Sequence, residues 1–191
     1  ETDLLNQAGL REEEDIFASV WKSAKNRWMW LALNLCTAFF ASRVIGNFEG
    51  TIEKFVALAT LMPIVAGIAG NSANQTTTII IRSLALGQIT HENARRLLAK
   101  ELAIGLLNGL VWGGVAGLFA YFLYHSMPLG IVMTSAMLLN LIVGATVGMA
   151  IPLVMQRIGR DPAIGSSVMI TAITDSGGFF IFLGLATIFL I

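Results

Sequence analysis

One carboxylate lies deep in an apolar segment near the end of this 191-residue chain. Asp175 stands 14 residues after Asp161 and 16 before Ile191. In a helix rising about 1.5 Å per residue, it would lie about 21 Å from one end and 24 Å from the other. An ionised carboxylate near the bilayer centre costs about 3 kcal/mol or more. Asp175 is therefore predicted to face water, a partner or a cation. The alternative is an acid kept neutral by hydrogen bonds within a helix bundle.

The polar residues around Asp175 share its helical face. Ser167, Thr171 and Asp175 are spaced four residues apart, and Gly178 continues the row. Residues at this spacing lie one above another on a helix. Such a row is typical of a pore lining, although Ser and Thr hydroxyls also form hydrogen bonds between membrane helices. The row alone leaves both interpretations open.

A second polar row precedes it in the chain. Its members are Gly67, Gly70, Asn71, Asn74 and Thr78. Amide side chains and locally opened backbone supply oxygen ligands without charge. Irregular backbone at membrane depth is tolerated only where it is buried in protein or lines a cavity. We predict that this row faces a pore, with helix–helix contact as the alternative.

The candidate ligands in both rows are all oxygen atoms. Carboxylate, amide, hydroxyl and carbonyl groups suit hard cations such as magnesium, calcium or manganese. Magnesium releases its water reluctantly, so one acid per chain would bind it through its hydration shell. Two chains meeting at an axis would present two mutually repelling carboxylates, and a divalent cation between them removes that conflict.

The composition indicates that the surrounding solvent is lipid. Hydrophobic residues make up 55% of the chain, charged residues 13%, and the mean hydropathy is +0.74. Soluble domains carry about 25% charged residues. The formal net charge is zero, which argues against nucleic acid as a partner. The lone Cys36 and the separated His91 and His125 favour neither a disulfide nor a thiolate or imidazole metal site.

The fold class predicted is an all-α membrane protein with a transmembrane domain of five helices over residues 27–191. Residues 1–26 are predicted to form a cytoplasmic amphipathic connecting helix, because Ile16, Phe17, Val20 and Trp21 form one apolar stripe. The predicted spans are 28–48, 51–87, 101–124, 129–155 and 162–191. The second is too long for one straight crossing, and Pro63 and the glycines after it supply a means to break it. No internal repeat is visible, so pore symmetry would require a second copy of the chain.

Basic residues predict the orientation. Ten of the 12 Lys and Arg residues fall on one side of the predicted spans. They are Arg11, Lys22, Lys25, Arg27, Arg82, Arg95, Arg96, Lys100, Arg157 and Arg160. Only Arg43 and Lys54 fall on the other. The positive-inside rule then places the N-terminus in the cytoplasm and the C-terminus outside.

Two further patterns have more ordinary interpretations. The glycine row of span three, at positions 105, 109, 113 and 117, and the row Asn140, Gly144 and Gly148 of span four predict close helix packing. The triplet Asp175-Ser176-Gly177 occurs in aspartic proteases, but there it lies on a loop between strands, and an intramembrane protease needs two deep acids. We therefore predict that the protein is not an enzyme.

Two motifs resemble the MgtE family of magnesium channels. The first is Pro63-x-x-x-Gly67-x-x-Gly70-Asn71-x-x-Asn74-Gln75, followed by Arg82. The second is Asp161-Pro162-Ala163, followed by Thr174-Asp175-x-x-Gly178-Phe179. They fall on the second and fifth spans, as in that family. Two positions depart from some relatives: Ala69 replaces a glycine, and Thr171 replaces a smaller residue.

The resemblance implies a homodimer in a lipid bilayer, with a pore on the dimer axis lined by the second and fifth spans. Asp175 would hold a hydrated magnesium ion, Thr171 would contribute its backbone carbonyl, and Asp161 would lie at the cytoplasmic mouth. Gly70, Asn71, Asn74, Ser167 and Gly178 are expected to line the pore. The family also carries a cytoplasmic N-domain and a pair of CBS sensor domains, which we expect to be absent from this chain.

The resulting expectation is a magnesium channel in a prokaryotic inner membrane that passes Mg²⁺, its transported ion and ligand, down the electrochemical gradient into the cytoplasm. The alternative is another divalent-cation or cation-coupled transporter, for manganese, cobalt or calcium. An intramembrane aspartyl protease is the remaining alternative from a different class.

Overall fold

A computed structural model describes residue 10 and residues 15–191 of the chain. The regular secondary structure of these residues is α-helical. The helices are α1 (Val20–Gly46), α2 (Glu49–Lys54), α3 (Ala57–Ala85), α4 (His91–Tyr124), α5 (Met127–Arg157) and α6 (Ser166–Phe189). The predicted all-α class is therefore confirmed.

Within the described residues, four helices are long and apolar enough to cross a membrane: α1, α4, α5 and α6. Helix α3 occupies the place of the predicted second span. Its 29 residues are also long enough for a crossing, but it carries the amide-rich segment Asn71–Gln75 and three consecutive threonines. The crossing of α3, and with it the predicted count of five, stays a prediction.

The predicted connecting helix over residues 1–26 falls partly outside the described residues. Of its described part, residues 16–18 form a turn and bend. Helix α1 begins at Val20, where the Ser19 hydroxyl accepts a hydrogen bond from the Lys22 amide. From Val20 the helix continues into the first predicted span without a break, so residues 20–26 are one helix with the segment that follows.

The second predicted span does break, but not at Pro63. The break lies at Phe55 and Val56, between α2 and α3, where Phe55 adopts φ −141° and ψ 79°. Pro63 lies inside α3. It is the seventh residue of that helix, so it removes only one early backbone hydrogen bond, and α3 continues past it.

Helix α5 forms the centre of the bundle, with α3, α4 and α6 packed around it, while α1 packs on α6. The α4–α5 contact is the most extensive, and in it the glycines of α4 meet the backbone of α5. Gly105 faces the Leu141 carbonyl, and Gly113 faces the Thr134 carbonyl. Gly144 and Gly148 likewise bring α5 against α3. The predicted packing role of both rows is confirmed.

A buried apolar cluster closes one end of the bundle, where the starts of α3 and α5 meet the end of α6. Its largest members are Leu58, Leu129, Met133, Phe182 and Leu183. Nearby, the hydroxyls of Thr51 and Thr187 are 2.8 Å apart and share a hydrogen bond. Because α3 and α6 are anchored at this end, their middle sections are held side by side.

Candidate functional site

The predicted row on α6 lies along a surface of the chain that other described helices leave open in part. Thr171 is exposed, whereas Ser167 and Asp175 are half-buried. Thr174, which directly precedes Asp175 in the chain, is fully buried. Its hydroxyl donates a hydrogen bond to the Ile170 carbonyl at 2.9 Å. Asp175 thus lies at the edge of the buried face of α6, neither fully buried nor fully exposed.

The amide-rich segment of α3 also has an open face. Asn71 and Gln75 are exposed and Asn74 is half-buried, while Ala73 and Thr77 point into the bundle. The Thr78 hydroxyl is used locally, since it donates to the Asn74 carbonyl at 2.9 Å. The amide side chains of α3 therefore lie on a partly open surface, as the polar row of α6 does.

Helices α3 and α6 run antiparallel and bring the two rows to one level. A methyl group added at Gly70 would lie 3.2 Å from the Thr174 hydroxyl, and one added at Gly178 would lie 3.4 Å from the Ala66 Cα. Asn71 directly follows Gly70, and Asp175 directly follows Thr174. Because the two helices run in opposite directions and each rises about 1.5 Å per residue, Asn71 and Asp175 differ in height along the helix axes by about 3 Å.

Gly70 and Gly178, which the sequence places in the pore lining, are both buried at this α3–α6 contact. Their lack of a side chain lets the two helices approach. Within one chain, these two glycines therefore lie at a helix–helix contact. The oxygen atoms that remain open to a cation are those of Asn71, Asn74 and the α6 row.

Asp161, the predicted acid at the cytoplasmic mouth, is exposed in the segment before α6. Its Oδ1 accepts a hydrogen bond of 2.9 Å from the Ala163 amide. This contact shapes the turn that leads to Gly165, which has φ 73° and lies under the Trp30 ring. The carboxylate has a local structural role there and remains accessible from outside.

Asn140 has a role that sequence reasoning missed when it treated the residue as part of a packing row. It is fully buried, and its Nδ2 donates to the Val65 carbonyl at 3.1 Å and to the Thr174 carbonyl at 3.2 Å. One side chain of α5 thus holds both α3 and α6. Its position four residues before Gly144 on the packed face was the available signal.

Glu101 is a buried acid, which the sequence analysis placed at the start of the third predicted span. It is 6% exposed, and its Oε2 accepts a hydrogen bond of 3.1 Å from the Thr76 hydroxyl. Thr76 lies on the buried face of α3, opposite the exposed amides. The available signal was again spacing, since Glu101 lies one helical turn before Gly105 on the packed face of α4.

The donor set restricts what this site can bind. Among the residues that the structure describes, no three His, Cys, Asp or Glu side chains group together as a metal site. A cation at Asp175 would meet one carboxylate of the chain and neutral oxygen atoms. Such a sparse set fits an ion that keeps part of its hydration shell.

Comparison with known proteins identifies the family. Residues 62–185, which include both polar rows, match the MgtE family, described as divalent cation transporters. This chain belongs to the MgtE family. Members of the family are transporters rather than enzymes, which agrees with the predicted absence of catalysis.

Three curated relatives carry the name magnesium transporter MgtE. The protein of Enterococcus faecalis is 30% identical over 99% of this chain. The proteins of Bacillus subtilis and Thermus thermophilus are 31% and 32% identical over 88% and 86% of it. The chain spans 42%, 37% and 36% of the length of these three MgtE proteins.

Proposed function

We propose that this chain forms one half of a magnesium-conducting pore, in which α3 and α6 of two copies surround a shared axis. The observation that carries the proposal is the partly open row of Ser167, Thr171 and Asp175 on α6, level with exposed amides of α3, in a chain of a divalent cation transporter family. Helix α3 would then be the fifth crossing, its polar face turned to water and its apolar face to the bundle.

Asp175 is proposed to hold the hydrated magnesium ion. Pairing with its counterpart in a second chain would place two negative charges around one divalent cation. Thr171, one turn towards the start of α6, would contribute its backbone carbonyl, and Ser167, Asn71 and Asn74 would bind the water shell. A site of this kind attracts a divalent ion by charge and still releases it, because contact is through water.

The distribution of the basic residues supports the proposed orientation in the membrane. With the N-terminus in the cytoplasm of a prokaryotic inner membrane, Asp161 lies at the cytoplasmic mouth and the ion moves inward down its gradient. Cytoplasmic N-domain and CBS sensor domains, expected of the family, would regulate such a pore as partners.

Flux measurements test the ion and the mechanism together. Purified protein in liposomes is expected to pass Mg²⁺ down its gradient without a proton or sodium gradient. Asp175→Asn is expected to reduce this flux by at least about 10-fold, because the row loses its only charge. Glu53→Gln, which neutralises an exposed acid of α2, is the matched control and should conduct normally. Undiminished flux in Asp175→Asn would refute the assignment, and flux that needs a coupling ion would favour the coupled transporter.

A cross-linking experiment tests the dimer axis. In a Cys36→Ser background, a cysteine replacing Thr171 is expected to form a disulfide with its copy in a second chain. A cysteine replacing Ile173 is the control, because this position is also exposed but lies about 200° around α6 from Thr171. Cross-linking at position 173 and not at 171 would place the axis on another face and contradict the proposed pore.

A further inference from the structure

Asn140 lies where α3, α5 and α6 meet, and its amide joins the backbones of the other two helices. The Nδ2 atom carries two hydrogens, and two carbonyl oxygens lie within 3.2 Å of it, one from Val65 and one from Thr174. A carbonyl oxygen has two lone pairs. Asn140 can therefore bind both helices while their own backbone ladders stay intact.

The space for this amide is provided by Gly178. A methyl group added there would lie 2.5 Å from the Asn140 Nδ2, so any larger residue at position 178 displaces the amide. At Gly177, the same addition would lie 4.0 Å from the Asn140 Oδ1, which is an ordinary contact. The two adjacent glycines thus differ in whether they control the position of Asn140.

We propose that Asn140 is a positioning residue for the cation path, which fixes the register of α6 against α3. This role rests on the proposed function. It explains how Asp175 and Asn71 come to one level, although Asn140 itself does not contact the ion. The residue held by Asn140 on α6, Thr174, directly precedes Asp175. A slide or rotation of α6 at Thr174 would therefore move the carboxylate away from the amide of Asn71.

A purely structural Asn140 would change stability alone, whereas a positioning Asn140 changes how the ion is held. Asn140→Leu removes both hydrogen bonds at similar volume. Groups that orient the ligands of a metal typically alter its affinity by about 10-fold to 100-fold. We expect the Mg²⁺ concentration for half-maximal flux to rise by about 10-fold or more, and the preference for Mg²⁺ over Ca²⁺ to fall.

The experiment compares four variants in liposomes: Asn140→Leu, Gly178→Ala, and the controls Asn108→Leu and Gly177→Ala. Asn108 is half-buried on α4 and has no place in the proposed path. Both test variants are expected to show raised half-saturation and lowered selectivity, and their combination should add little, because they act on one contact. The controls should match the unaltered protein. Stabilisation of the detergent-purified protein by Mg²⁺ alone, read from the melting temperature, should weaken in parallel.

The outcomes separate this inference from the proposed function. Unaltered protein without Mg²⁺ flux would refute the proposed function. Normal flux in the unaltered protein, with half-saturation and selectivity unchanged in the test variants and only the melting temperature lowered, would overturn the positioning role alone. If Asn140→Leu does not fold, Asn140→Asp, which keeps the shape but loses the amide donors, is read together with Gly178→Ala by the same criteria.

Discussion

A methyl group at Gly109 probes how closely α4 and α5 must approach. In the structure, the added carbon would lie 2.6 Å from the Leu138 Cδ1 and 2.9 Å from the Leu138 Cα. Carbon atoms in favourable contact stand about 3.5–4.0 Å apart. The Leu138 side chain can rotate away, but its Cα cannot, so Gly109→Ala must push the two helices apart or shift them.

The magnitude follows from a comparison with Gly114 on the same helix, where an added methyl group would meet nothing within 4 Å. Replacing a helical glycine by alanine raises the free energy of unfolding by about 0.5–1 kcal/mol at either position, because alanine has less conformational freedom to lose on folding. This gain cancels between the two variants. Overpacking a close contact costs about 1–3 kcal/mol, so Gly109→Ala should be less stable than Gly114→Ala by about that amount.

The assay is reversible unfolding of the purified variants in mixed micelles, followed by Trp fluorescence. Gly114→Ala should match or exceed the unaltered protein in free energy of unfolding, and Gly109→Ala should fall below it. Equal stability of the two alanine variants would refute the reasoning, because it would mean that the close approach of α4 to α5 is not a constraint on the fold.

Three further predictions concern other contacts and are read from thermal unfolding of the purified protein. Thr76→Val should cost about 1–3 kcal/mol by leaving the buried Glu101 carboxylate without its donor, and adding Glu101→Leu should recover most of the loss; additive losses would contradict this pairing. Gly165→Ala should cost more than about 1–2 kcal/mol, because only glycine adopts its positive φ without strain and the added methyl group would also clash with the Trp30 ring. Gly184→Ala on α6, with nothing within 4 Å of the added carbon, should cost nothing. Thr90→Ala should cost about 1 kcal/mol by removing the capping box at the start of α4. An unchanged melting temperature would show that this cap does not stabilise the fold.

Helical periodicity carried much of the prediction. The spacing of Ser167, Thr171 and Asp175 placed them on one face of α6, and the structure leaves that face partly open. The same rule placed the glycines of α4 on one face, where they meet α5. Periodicity works here because a helix presents every fourth residue to one side whatever lies beside it.

Periodicity does not say which helix lies opposite a given face. Gly70 and Gly178 share rows with pore candidates, yet each turns towards the other helix of the same chain. A glycine suits a close contact and a pore wall equally well, so only the tertiary structure showed that these two lie at the α3–α6 contact. Their place in the pore lining stays a prediction. The break in the second predicted span lies at Phe55 and Val56, not at Pro63 or the glycines after it. An early Pro63 costs the helix one hydrogen bond and does not end it.

The sequence alone determined that the chain is helical, that it is apolar enough for lipid, and that a single deep carboxylate belongs to a polar row. It also carried the motifs that match the MgtE family. Only the tertiary structure decided that Asn140 joins α3 to α6, and that Glu101 is a buried acid bound by Thr76. Those contacts join residues 25 to 75 positions apart, and their partners are selected by how whole helices pack, which no local spacing records.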